Sequence, residues 1–285
     1  EAAITTIMES GMKPSDEPGM KPAIVMICGA RSGIGKSHTA LAIMMSLLAK
    51  QIVKPVELAY IKPATQCDDG QLISRWCHDN GVACQAIGPI VYRPGFSYNV
   101  ISGSISSDTL LNDVKQSVEA ISHGKKFVLV DGVGYPSVGS CTGTSNAHIA
   151  QLLHIPVIFV APGGVGDAID SVNLVLPFFA YHRVEVLGVI FNKIDITENS
   201  RHKLNDCEKY VRQYFSVANP GLNIYGFMPE YQRESQAASS CFLSTNAAPR
   251  SMDSEDTRTI REIESSVLHR LDIDTLLTDL KFITA

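Results

Sequence analysis

Along the chain, short and almost wholly apolar runs rich in β-branched residues alternate with longer stretches that are apolar on one side and polar on the other. The runs fall at 23–28, 57–61, 127–130, 157–161, 184–191 and 223–227. Several are apolar at nearly every position instead of every second one, as expected of central strands covered on both faces. Between them, 36–50, 71–80, 108–122, 146–153, 167–179 and 197–215 are long enough, and polar enough on one side, for helices. The alternation predicts an α/β fold, a parallel sheet covered by helices on both faces. Residues 1–22 read as a flexible leader punctuated by Pro and Gly, and 232–255, small and polar, as a mobile loop or lid. A last amphipathic stretch, 256–280, is expected to pack back on the same domain or to meet a partner. There are no internal repeats.

Composition narrows the chemistry. With 285 residues, 45% hydrophobic and 19% charged, the chain can bury a full core. Its net charge of −5 is spread without long basic or acidic runs, which argues against nucleic acid or an anionic membrane as partner and for a small molecule. The seven cysteines are odd in number and form no Cys-x-x-Cys pair, so neither a disulfide framework nor a zinc ribbon is signalled. Scattered thiols suit the cytosol. No apolar stretch approaches the ~20 residues of a membrane span.

The sharpest local feature is "VMICGARSGIGKS", residues 25–37. Ala30 to Ser37 fit the phosphate-binding loop, with a small residue first, four free positions, then Gly-Lys-Ser, between a strand and a helix. Gly29, Gly33 and Gly35 let the backbone turn its N–H groups toward phosphate oxygens, and the following helix adds its positive end. Lys36 would bridge the β- and γ-phosphates and Ser37 would offer its hydroxyl to Mg²⁺. Gly29, Arg31, Ser32, Gly33, Ile34, Gly35, Lys36, Ser37 and His38 are therefore the candidate nucleotide-binding segment, and 23–231 the nucleotide-binding domain.

In an open parallel sheet, ligands sit beyond the carboxyl ends of the strands. Lys62, in "AYIKPATQCDD", is placed to stabilise a transferring phosphoryl group or to be a solvated strand-end lysine. Asp68 and Asp69 after it suit Mg²⁺ or a helix cap. Asp131, in "VLVDGVG", stands where phosphate-loop proteins keep an acidic Mg²⁺ residue, a turn-forming aspartate being the other reading. "NKID", 192–195, spells the guanine-recognition tetrapeptide, although the amide of Asn192 serves adenine equally. Asp167, after "APGGVG", is the expected N-cap of the next helix.

In this order the segments resemble the dethiobiotin synthetase family, whose relatives include cobyrinic acid diamide synthases and the N-terminal domains of some phosphotransacetylases. The resemblance covers 23–230. "CGARSGIGKSH" is similar to the family's phosphate loop, "YIKPATQ" to its Lys-Pro-Val strand end and "VLVDGVG" to its Val-Glu-Gly-Ala-Gly segment. "IPVIFVAPGG", "GVIFNKI" and "YGFMPE" resemble its later strands. The resemblance implies a homodimeric enzyme using ATP and Mg²⁺. Lys36 and Lys62 would act on the phosphates, Ser37, Asp131 and Asp69 (or Asp68) would hold the metal, and Asn192 would hold the base. The implied chemistry is attack of a substrate carbamate on the γ-phosphate, then displacement of phosphate by a neighbouring amine to close a cyclic urea. A nucleotide-dependent switch that reuses the fold is the alternative.

The chain also departs from the family. Gly33 replaces an acidic loop residue, Asp131 replaces a glutamate, and the substrate-side Pro-His segment has no counterpart in 88–104, a Gly/Tyr/Ser-rich stretch too long for a plain connector. Arg31 stands where some relatives place a lysine that reaches a partner subunit's nucleotide; a solvated loop arginine is the other reading. His78, His148, His154 and His182 lack metal-ligand spacing, and Cys141 has no evident histidine partner.

Overall fold

The computed structural model describes residues 21–66, 71–197, 204–230 and 251–282. The expected leader at 1–22 and loop at 232–255 lie mostly outside these residues, and Asp68 and Asp69 wholly so. The elements run β1 (Ala23–Gly29), α1 (Lys36–Ala49), β2 (Leu58–Ile61), β3 (Ala64–Thr65), α2 (Leu72–Asp79), β4 (Ala83–Gln85), β5 (Ile90–Val91), α3 (Phe96–Ile101) and α4 (Ser107–Ser122). They continue through β6 (Phe127–Asp131), α5 (Asn146–Leu153), β7 (Val157–Pro162), α6 (Gly166–Tyr181), β8 (Val186–Ile194), α7 (Leu204–Ala218), β9 (Asn223–Pro229), α8 (Ser254–Ser266) and α9 (Ile273–Asp279).

Seven strands form one sheet in the order β4-β2-β6-β1-β7-β8-β9, parallel at every pairing. The side-chain period of a strand divides the core between its two faces. On one face Val25 and Ile27 of β1, Tyr60 of β2 and Leu129 of β6 meet α1, α2, α8 and α9. On the other, Met26 and Cys28, Ala59 and Ile61, and Val128 and Val130 meet α4, α5, α6 and α7. Both faces are covered, which is why these strands read as unbroken apolar runs. The glycine loop follows β1, the strand at the middle of this order, so the first face at the carboxyl end of the sheet carries the loop, Lys62 and Asp131 together.

Residues 88–104 are more than a connector: they contain β5, which pairs in parallel with β3 as a separate two-stranded sheet, and α3. The final stretch forms two helices, because after Val267 the chain makes a short 3₁₀ turn and Leu271 forms a bridge to Gly226 of β9. One local expectation is corrected. Asp167 is not the N-cap of α6: that position is Val165, and Asp167 lies in the first turn, within 3.4 Å of the Arg31 guanidinium.

Candidate functional site

The loop between β1 and α1 turns because glycine is placed where other residues do not fit. Gly35, the N-cap of α1, has φ 93°, and a β-carbon there would collide with the Asn192 amide nitrogen. At Gly29 a β-carbon would stand 2.8 Å from Cγ of Lys36, so the bare backbone makes room for the lysine stem. Asn192, at the carboxyl end of β8, braces the loop from behind. Its Nδ2 donates to the Ile34 carbonyl at 2.9 Å, and its Oδ1 accepts from the Lys193 backbone N–H at 2.8 Å. One amide hydrogen and one lone pair remain to it for a base.

Lys36 is the first residue of α1 and only 8% exposed. Its Nζ donates to the carbonyl of Gly134 at 2.8 Å, in the loop after β6. Burial holds this ammonium below the ordinary lysine value of 10.5, and the Asp131 carboxylate pulls the other way. The β6 loop is itself held from α5: the side chain of Asn146 accepts from Val133 N–H at 3.0 Å and donates to the carbonyls of Val133 at 2.8 Å and Tyr135 at 2.9 Å. Cys28, under the same loop, accepts an amide hydrogen from Asn146, and burial pushes its thiol up to about 12. It is a structural thiol.

Asp131 ends β6 and is 0% exposed. Its Oδ2 accepts from Ser37 Oγ and from the Tyr60 phenol, each at 2.7 Å, and lies 3.6 Å from Lys62 Nζ. Lys62 also donates to Gln71 Oε1 at 3.2 Å. Burial, then the neighbouring carboxylate, holds the Tyr60 phenol well above its ordinary range. The other oxygen of Asp131, Oδ1, has no hydrogen-bond partner among the described residues although it is fully buried. A lone buried carboxylate oxygen is costly unless something binds it.

These groups open on a cleft of about 1380 Å³ whose floor is Ser32, Gly33, Gly35, Lys36, Ser37, His38, Lys62, Gly132 and Gly134. One wall is Asn192, Lys193, Asp195 and Thr197; the far side is Leu72, Ile73 and Arg75 of α2 and its N-cap Gln71, with Asp256, Thr259 and Ile263 of α8 and its N-cap Asp253. Arg75 clasps Asp256 through two bonds, 2.6 and 2.7 Å, and the guanidinium holds that carboxyl below its ordinary range. The Asp195 carboxyl is likewise lowered, by the backbone N–H of Thr197.

Ser32, Gly33, Gly35, Lys36, Ser37, His38, Lys62 and Asn192 thus line one cleft, the buried Gly29, Ile34 and Asp131 touch them from behind, and Arg31 is left outside this lining, more than half exposed, beside Asp167. Sequence reasoning overlooked Tyr60, Gln71 and Asn146. For Tyr60 a signal existed: a hydroxyl-bearing residue inside an apolar strand, two positions before Lys62 and therefore on the same face.

The residues present suit Mg²⁺. Among the described residues no cluster of three or more His, Cys, Asp or Glu forms a cage, whereas a hydroxyl, one buried carboxylate with a free oxygen and a phosphate cradle match an ion that keeps water and phosphate in its shell. Among the described residues no helix is long and apolar enough to cross a membrane.

A family model described as an AAA domain matches residues 24–229. The cobyrinate a,c-diamide synthase of Synechocystis sp. is 26% identical, over 72% of this chain and 46% of that protein. The ATP-dependent dethiobiotin synthetase BioD of Aquifex aeolicus is 24% identical, over 63% of this chain and 82% of its own. The chain spans about half the length of the first of these relatives. Solved structures with similarity include apo McdA from Cyanothece, with a TM-score of 0.47 and 14% identity over 91% of this chain and 95% of that one. A plasmid partition protein from Borrelia burgdorferi gives 0.44 and 15% over 91% and 100%.

Proposed function

The chain belongs to the AAA domain family, and on that premise we propose that it is a Mg-ATP-dependent ligase of the dethiobiotin synthetase type, acting on a small molecule that carries an amine or a carboxylate. The observation that carries this reading is the meeting of Lys36, Ser37 and Lys62 in the cleft at one glycine loop, with the buried Asp131 carboxylate in contact with Ser37 and Lys62. The likeness to two ATP-dependent or diamide-forming synthases supports it. We read 23–231 as the nucleotide-binding domain, with 256–285 folded back on it, and the working form as a cytosolic homodimer.

The loop amides and the N-terminus of α1 would bind the phosphate tail. Lys36 would exchange the Gly134 carbonyl for phosphate oxygen, keeping its charge paired throughout. Lys62, reaching over the same cleft, would meet charge that develops on the transferring phosphoryl group. Ser37, Asp131 and, by the resemblance, Asp69 would hold Mg²⁺, which supplies charge neutralisation when bound. Asn192 would fix the loop and offer its remaining amide hydrogen to the base.

The test is phosphate release from ATP with and without a diamine plus bicarbonate. The ligase reading predicts that release rises at least tenfold when both are present. Slow turnover indifferent to them would favour the second reading, a nucleotide switch. That alternative is favoured by one observation, the Asp195 carboxylate of "NKID" on the cleft wall, and it predicts that GTP displaces ATP in competition.

A further inference from the structure

We propose that Cys77 and Cys84 are a modification site, a dithiol that hydrogen peroxide closes into an intramolecular disulfide and that a small thiol reopens. Cys77 lies in the last turn of α2 and Cys84 is the middle residue of β4. Between them the chain doubles back. Asn80 N–H donates to the Trp76 carbonyl at 3.0 Å, Gly81 takes φ 68°, and Val82 N–H donates to the Cys77 carbonyl at 2.9 Å. Cys84 stands opposite Tyr60 of β2, on the face of the sheet that meets α2. Cys77 is fully buried in that face, Cys84 is half-buried, and the two thiols hydrogen-bond to each other. The other thiols differ: Cys28 accepts from Asn146, and Cys141 donates to Ser97.

The arrangement also assigns the two roles. The bond from Cys77 and the backbone N–H of Ala86 hold the Cys84 thiol below its ordinary value of 9.0, against its burial, while the same bond raises Cys77. Cys84 is also the better placed for attack, since β4 ends the sheet order and no further strand covers it among the described residues. Its thiolate attacks one peroxide oxygen, the O–O bond breaks, and the other oxygen leaves as water, so that Cys84 becomes a sulfenic acid. The Cys77 sulfur then attacks the Cys84 sulfur. The S–O bond breaks, and the leaving hydroxide takes the Cys77 proton as a second water. In sum two thiols give up two electrons and two protons, and one peroxide becomes two waters. The helix tied down by the bridge is the one whose Arg75 and N-cap Gln71 line the cleft. The inference does not depend on which reaction the cleft performs.

The experiment exposes the reduced native protein to hydrogen peroxide, unfolds it in N-ethylmaleimide, digests it with trypsin and weighs the fragments. Residues 76–115 stay together, because Arg93 precedes Pro94, and their two cysteines are Cys77 and Cys84. The expected fragment is lighter by two hydrogens and carries no maleimide; after dithiothreitol it takes up two. In Cys77→Ser, dimedone is expected to trap a sulfenic acid on Cys84. In Cys84→Ser, oxidation of Cys77 is expected to slow about tenfold. The measurement on native protein stands whether or not either variant folds. Two maleimides on this fragment, under peroxide that oxidises the exposed Cys141, would overturn the proposal and show the pair to be ordinary core thiols. A bridge from either cysteine to a different one would overturn it too, and dimedone on Cys77 in place of Cys84 would overturn the assigned order of attack.

Discussion

Lys36 is held as an ammonium inside a wall of protein, with one carbonyl as its direct partner. Because burial lowers its pKa, the folded chain binds this proton less tightly than the unfolded chain does. Its charged form therefore costs stability at neutral pH, and that cost fades as pH rises through the lowered value toward 10.5. Nucleotide binding has the opposite dependence, since phosphate needs the ammonium. Affinity for ATP is expected to fall on the alkaline side at a pH below 10.5, as stability recovers; calorimetric titrations across pH 7 to about 10 check this, and a flat profile would show that Lys36 does not carry the contact. The lysine, Ser37 and the glycines were legible in the sequence because a phosphate loop is a local pattern. The partners of Asp131 were not, because Tyr60 lies 71 positions away in the chain and meets it only once β2 and β6 pair.

At the scale of elements, the far wall of the cleft is made by two helices from opposite ends of the chain. Asp253 caps α8 in a reciprocal box with Asp256, and Asp256 in turn holds Arg75 of α2. Arg75→Ala leaves a buried carboxylate without its guanidinium and is expected to cost about 2 kcal/mol, read as a lowered unfolding midpoint in urea. The folded Asp256 carboxyl is more acidic than the unfolded one, so the contribution is present above 3.8 and is lost as pH falls through the depressed value. The difference between native and variant should therefore vanish in acid; a constant difference would assign it to the lost arginine stem and not to the charge pair. The six apolar runs and most helices could be read from the sequence pattern, since a strand covered on both faces declares itself. The short β3, β4 and β5 could not, because two or three residues carry no period. The break between α8 and α9 also escaped, since the bridge from Leu271 to Gly226 is a contact of distant segments.

At the scale of the molecule, the sheet order sets β1 between β6 and β7, so the loop after β1, Asp131 after β6 and Asn192 after β8 all emerge at one edge. The fold class followed from alternation, and the grouping of these residues from the rule that strand ends gather ligands. The form of 88–104 did not follow, since its β5 finds its partner in β3, more than twenty positions earlier, and its α3 is a short helix without a clear period. All of these roles depend on the loop from Gly29 to Ser37 wrapping a triphosphate. Calorimetric titration of native protein and of Lys36→Ala with ATP in the presence of Mg²⁺ tests it most directly, with circular dichroism to show that both are folded. Saturable binding to the native chain is expected, with affinity lower by at least a hundredfold in the variant. Equal affinity in the two, or no binding to the native chain, would contradict it.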